Sequence, residues 1–246
     1  ADAALERALA VVRDGTRKCE VIDAIREASR IMASVTSTRD DPGARGRKVR
    51  VGIIGDIYTR MNPFANQGLY PALESRGCEV LAPPFIVDGQ IWDMVDFPKR
   101  FWEHHEHGRA VRRGLLSVYQ REELWRVRRQ FPSWPEITLD PGFLHWRAAT
   151  APYLRSDVDG LLAQNLGKAM DFIGMGADGI VNTMCHNCMA GLATDAVFPA
   201  VRRDHGGIPY LSLAYDSLGD VHVATRIEAF VDLMRTRRAR RSPGPA

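Results

Sequence analysis

The spacing of apolar positions changes character along the chain. Leu5, Leu9 and Val12 share one stripe at helical spacing. Cys19, Ile22, Ile25, Ala28 and Ile31 share another, so residues 1–36 read as an N-terminal helical region broken near Gly15. Residues 37–48, beginning STRDDPGARGR, are polar and carry Gly and Pro, which predicts a linker. Val49, Val51, Ile53 and Ile54 then form a short apolar run that stops at Gly55-Asp56, the pattern of a strand buried on both faces. A helix is expected over Phe64–Arg76, with Gly77 in the left-handed position past its end. Cys78–Leu81 reads as a second strand, closed by Pro83-Pro84.

The alternation pauses over residues 87–150. Trp92, Phe97, Phe101, Trp102, Trp125, Phe131, Trp134 and Trp146 concentrate the aromatics there, and Lys99–Arg129 reads as helix with nine basic residues against four Glu. This stretch is expected to be a helical insertion. Alternation resumes with a helix from about Ser156 to Gly174, a strand Gly179–Met184 and a helix Gly191–Arg203. A strand Ile208–Ala214 and a helix Val223–Arg235 follow. The order predicts an α/β domain over residues 49–236, with a parallel sheet of about four strands and helices on both faces. Right-handed crossovers favour the strand order 2-1-3-4. Residues 237–246 are expected to be a basic disordered tail.

Charge narrows the partners. The chain carries 33 basic and 30 acidic side chains, but five Arg lie in Arg235–Ala246; without them 28 basic residues face 30 acidic. The basic balance is therefore a tail effect, and no nucleic-acid partner is expected. No run of 18 apolar residues occurs, so no membrane-spanning helix is expected. The start, ADAALERALA, lacks the basic and apolar regions of a secretory signal, and its lack of Met suggests a chain that was processed, trimmed or cut from something longer. A reducing, cytoplasmic setting follows, in which Cys185-x-x-Cys188 points to metal or redox chemistry rather than a structural disulfide.

In an open parallel sheet, ligands sit at the carboxyl ends of the strands, where the strand order reverses. Here that place lies between the first and third strands. The loops at that edge are the polar ones: Asp56, Tyr58, Arg60, Asn62 and Asn66 after the first strand, Cys185, His186 and Cys188 after the third, and Asp216 after the fourth. Cys185 and Cys188 precede a helix, whose N-terminal dipole is expected to depress their thiol pKa values. Local structural roles are also open. Asp56 suits a turn, Asn62-Pro63 suits a helix start, Arg60 suits a pair with Asp56 or Asp216, and Asp216 suits a cap. No G-x-G-x-x-G or G-x-x-x-x-G-K-[ST] occurs, so nothing argues for a nucleotide on this chain. His104-His105-x-His107 reads as a solvated helix face, and the sequence places no partner for His145, His205 or His222.

The blocks VGIIGDIYTRMNPFAN (Val51–Asn66), GIVNTMCHNCMAGLATDAVFP (Gly179–Pro199) and IPYLSLAYDS…TRIEAFVDLM (Ile208–Met234) together resemble the 2-hydroxyacyl-CoA dehydratase superfamily, including its activase-related, benzoyl-CoA-reductase-like and double-cubane cluster members. The resemblance implies a Rossmann- or flavodoxin-like domain that helps hold an iron–sulfur cluster, such as [4Fe–4S]. Electrons would arrive from an ATP-hydrolysing activase and be used for dehydration or reduction of a CoA thioester. The family's Pro-Phe-x-Cys-Met-Pro-Gly pattern maps its Cys to Cys188, followed here by Met189 and Gly191. Cys185 and Ala190 stand where the pattern has Pro. Gly55, Tyr58, Asn62 and Asn66 match the family's first loop, and Asp216 its fourth strand end. A cubane cluster takes four Cys ligands and this site offers two; the resemblance implies completion by another dehydratase-like domain or another chain, and by ligand count alone a homodimer about a two-fold axis would also bring four thiolates together.

Two other readings stay open on the sequence: a regulatory or scaffold domain of the same fold without a cluster, and a zinc or thiol–disulfide module built on the C-x-x-C.

Overall fold

The computed structural model describes residues 17–34, 48–82, 101–102, 105–131, 143–155, 158, 160–216 and 222–241, together with residues 6, 10 and 13. The stripe of Leu5, Leu9 and Val12, the Gly15 break, Pro83-Pro84, Trp92, Phe97, His104, Trp134 and most of the linker lie outside the described residues. In chain order the elements are α1 (Lys18–Ser34), β1 (Val49–Gly55), α2 (Ile57–Met61), α3 (Leu69–Glu74), β2 (Cys78–Leu81) and α4 (His107–Arg128). They continue with α5 (Phe143–Thr150), α6 (Gly160–Gly174), β3 (Gly179–Cys185), α7 (Met189–Asp204), β4 (Tyr210–Tyr215) and α8 (Val223–Arg241).

The chain forms two compact units. One comprises residues 1–47 and 115–139, the other residues 48–114 and 140–246. In the first, Lys18 of α1 pairs with Glu123 of α4 and donates to the Tyr119 hydroxyl at 3.0 Å, and Arg26 Nε donates to Gln130 at 2.9 Å. Leu115, Val118 and Trp125 of α4 remain exposed. The stretch read from the sequence as one insertion is thus divided, with residues 115–139 and α5 in different units.

The second unit is the α/β domain. Its sheet is parallel and ordered β2-β1-β3-β4, so the predicted topology holds. The central strands explain themselves chemically. Val49, Val51, Ile53 and Ile54 of β1 and Ile180, Val181 and Met184 of β3 are all buried, because helices cover both faces. Alternation sends Val51, Ile53 and Val181 to one face, where they pack with Leu69 and Leu73 of α3 and Ile227, Phe230 and Met234 of α8. Ile54 and Ile180 go to the other, among Leu166, Ala169 and Phe172 of α6 and Phe198 and Val201 of α7.

α5 belongs to this unit because of Trp146. That ring is buried against Gly167 of α6, and its Nε1 donates to Asp171 Oδ2 at 2.5 Å. Lys168 Nζ lies 3.1 Å from the same carboxylate and 4.2 Å from the ring centroid. His145 Nε2 approaches Asp171 Oδ1 at 4.0 Å, and His205 Nε2 lies 3.5 Å from the Tyr153 hydroxyl, partners the sequence did not supply.

The last helix also differs from expectation. α8 does not stop near Arg235 but runs to Arg241, through the segment expected to be a disordered tail. Its arginines bind carbonyls at loop ends: Arg235 to Arg76, and Arg237 to His205 and Gly206. Arg238 reaches the Lys48 carbonyl and pairs with Asp178 at 3.2 Å. Charge-assisted bonds of this kind hold the segment in helix. Residues 242–246 lie outside the described residues.

Candidate functional site at the carboxyl edge of the sheet

β1, β3 and β4 end together. Gly55 pairs with Thr183, and Cys185 pairs with Tyr215. Asp56 N donates to the Thr183 carbonyl at 2.8 Å, and His186 N donates to the Tyr215 carbonyl at 3.0 Å. The first residues beyond the three strands are therefore Asp56, His186 and Asp216, all on one edge at the predicted switch point.

Close approach of backbone makes this junction possible. Gly55 has φ 113°, and a Cβ there would stand 1.9 Å from the Thr183 carbonyl oxygen. Only glycine combines that conformation with that proximity. Its N–H donates to Asn165 Oδ1 of α6 at 3.2 Å, and the Thr183 hydroxyl donates to the Ile54 carbonyl at 3.1 Å.

The first loop is built by its own polar side chains. Asp56 caps α2, its Oδ2 accepting from Thr59 N at 2.7 Å and from the Thr59 hydroxyl at 2.8 Å. Asn62 Oδ1 accepts from Phe64 N at 2.9 Å in an Asx turn. Asn66 is buried, donating to the Arg60 carbonyl at 3.1 Å and accepting from Gly68 N and Leu69 N. Arg60 is buried as well. Tyr58 points outward and is exposed. So Asp56, Asn62 and Asn66 each hold the loop's shape, and Arg60 and Asn66 lie beneath its surface.

The second loop carries the thiols. Cys188 N donates to the Cys185 carbonyl at 3.2 Å, closing a turn with His186 and Asn187 at its centre. Asn187 has φ 56°, the left-handed conformation that Asn tolerates better than most residues. Cys188 is the N-cap of α7, and its side chain makes no capping bond to the helix. Its thiol lies close enough to that of Cys185 to disfavour a charge there. Cys185 and His186 are exposed and Cys188 is half-buried. The Cys185 thiol is raised from its ordinary value, by partial burial first, then by Cys188 and by the Asp56 carboxylate. The depression expected from the helix dipole is outweighed at Cys185, because this residue sits one turn before the helix with two groups beside it that disfavour a negative charge.

The third loop begins at exposed Asp216; residues 217–221 lie outside the described residues.

Several supporting residues were not singled out in the sequence. Asn182 donates to the Gly191 carbonyl at 3.1 Å and to Asp195 Oδ1 at 2.9 Å, tying β3 to the first turn of α7. Asp195 also accepts from the Tyr210 hydroxyl at 2.5 Å and the Ser212 hydroxyl at 2.7 Å. Asn165 donates to the Thr194 hydroxyl at 3.5 Å. The available signal was the polar pair Asn182-Thr183 inside an otherwise apolar strand.

As metal ligands, Cys185 and Cys188 form an adjacent soft donor pair. Cys78 begins β2 at the opposite edge and is buried, and Cys19 belongs to the other compact unit. Among the described residues, no group of three or more His, Cys, Asp or Glu side chains is placed to hold a metal ion. Two adjacent thiols fit half the donor set of a cubane cluster or of a tetrahedral zinc site. No helix among the described residues is long and apolar enough to cross a membrane. Comparison with protein-family models, with curated proteins and with solved structures found no match to this chain.

Proposed function

We propose that the chain is an iron–sulfur redox protein, or a subunit of one, of the 2-hydroxyacyl-CoA dehydratase type, handling low-potential electrons for dehydration or reduction of CoA thioesters. The observation that carries this reading is the thiol pair on the Cys185–Cys188 turn, at the carboxyl edge of a parallel sheet and at the mouth of α7. A bound cluster supplies one-electron storage. The chain's own residues do the holding. Asn187 sets the turn, Cys188 faces the positive end of α7, and Cys185 stands outward to meet further ligands. The remaining thiolates come from another dehydratase-like domain or another chain. An ATP-hydrolysing activase is the proposed electron source, and the exposed Tyr58, His186 and Asp216 are the residues offered to the thioester.

Anaerobic reconstitution with iron and sulfide tests this. The native chain is expected to turn brown and Cys188→Ser to stay colourless. A full cluster in Cys188→Ser overturns the ligand assignment.

The tight Cys185–Cys188 turn, closed by Cys188 N donating to the Cys185 carbonyl at 3.2 Å, favours one second reading, a zinc or dithiol module. Zinc without iron and sulfide in the purified protein would establish it.

A further inference from the structure

A cavity of about 420 Å³ lies between α7 and β4 in the α/β unit. α7 supplies Asp195, Phe198, Pro199, Arg202 and Arg203 to its wall, and β4 supplies Tyr210. None of these residues belongs to the three strand-end loops that carry the thiols and their neighbours. The size is that of an ordinary small-molecule site, and a few polar groups converge on an aromatic wall.

The two ends of the cavity differ in charge. Asp195, in the second turn of α7, is a half-buried carboxylate. Asn182 Nδ2 and the Tyr210 hydroxyl donate to its Oδ1, and the Ser212 hydroxyl donates to its Oδ2. Among the described residues these bonds occupy all but one of the roughly four acceptor positions a carboxylate has, and the open one is on Oδ2. Arg202 lies about 10 Å further along the same helix and is exposed. Its carbonyl accepts from Gly207 N, whereas its guanidinium makes no bond among the described residues. Arg203 beside it pairs with Asp204 at 3.9 Å. Between the ends stand Pro199 and a ring pair, Phe198 and Tyr210, stacked with centroids 3.7 Å apart.

We propose that this cavity binds an adenine mononucleotide, with the base along Tyr210 and Pro199, its exocyclic amine donating to Asp195 Oδ2 and its phosphate on Arg202 and Arg203. Each part of the ligand answers a feature of the wall. Paired guanidinium groups select a phosphate, whose oxygens match their planar fork. An aromatic and proline wall selects a planar body. A carboxylate with one acceptor position open selects a single N–H donor, and a base with a carbonyl at that place would set oxygen against oxygen. The separation of the two ends, about 10 Å, is that between the amine and the phosphate of such a nucleotide. The arginines here take the part that a glycine-rich loop plays in other nucleotide sites. The proposal stands apart from the iron–sulfur reading and shares no residue with it.

Isothermal titration of the intact chain with AMP, adenosine and IMP tests the assignment. AMP is expected to bind with a Kd below about 1 mM, and adenosine, without the phosphate, roughly tenfold or more weaker. IMP carries a carbonyl in place of the amine and should lose a similar factor. Arg202→Ser removes the phosphate partner at an exposed position, and Pro199→Glu sets a carboxylate beside the phosphate while relieving a proline inside a helix. Each should weaken AMP by roughly tenfold or more with circular dichroism unchanged. No heat of binding with AMP at about 5 mM overturns the proposal. Equal affinity for AMP and IMP, or native affinity in both variants, overturns it as well.

Discussion

Asp56 and Cys185 stand at the ends of adjacent strands, and the Asp56 carboxylate, already spent on capping α2, helps lift the Cys185 thiol above its ordinary pKa. A carboxylate beside a thiol disfavours the thiolate. Cys185 is therefore protonated to higher pH than an isolated cysteine. Asp56→Asn keeps an oxygen for Thr59 N but removes the charge, so Cys185 should be alkylated faster at fixed neutral pH, by a factor of roughly two to five. Mass spectrometry of iodoacetamide labelling against pH reads this directly. An unchanged profile would mean that Asp56 does not act on Cys185.

Two glycines at positive φ should differ sharply. A Cβ at Gly55 meets the Thr183 carbonyl oxygen at 1.9 Å, whereas at Gly68, φ 71°, it meets nothing within 4 Å. Gly68→Ala carries only the conformational cost of about 1 kcal/mol. Gly55→Ala must also part β1 from β3 and should cost more than about 4 kcal/mol. Soluble yield and urea denaturation of the two variants give the comparison.

Lys168 and Asp171 are a buried pair, with side chains 5% and 3% exposed. Burial raises the Asp171 carboxyl, and Lys168 opposes that rise. Lys168→Met should destabilise the fold by about 3–5 kcal/mol, because it strands a buried charge. Lys168→Met with Asp171→Leu should recover much of the loss. Denaturation midpoints of the single and double variants distinguish this from a simple packing defect.

Burial pushes the Cys78 thiol up to about 11, from an ordinary 9.0, with Arg235 and Arg76 opposing. The folded protein thus holds this proton more tightly than the unfolded chain does. The contribution is complete below pH 9.0 and is lost as the pH rises through about 11. Thermal melts across that window should fall less steeply in Cys78→Ala than in the native chain. Cys78 should also resist alkylation until the protein unfolds.

The sheet was legible because its strands are short apolar runs ended by Gly55 and by Cys185, and because parallel crossovers leave few orders to choose from. The loop after β1 was not. A helix was expected over 64–76, yet α2 occupies 57–61 and the next helix starts at Leu69. Asp56 starts α2 through its cap, and Asn62 and Asn66 then turn the chain; five residues are too few to show a helical period. The reach of α8 was hidden for another reason: its last turns are held by arginine bonds to distant carbonyls, which no local pattern records. At the site, the thiol pair was readable from spacing. The raised Cys185 was not, because it depends first on burial in the folded edge and then on neighbours that include Asp56, which is 129 positions away in sequence.

The most direct measurement is the iron, acid-labile sulfide and zinc content per chain of anaerobically prepared protein, native and Cys188→Ser side by side. An iron–sulfur half-site at Cys185 and Cys188 predicts iron and sulfide in equal amounts in the native chain, with both lost in the variant. Iron and sulfide absent from the native chain, or zinc in their place, would contradict it.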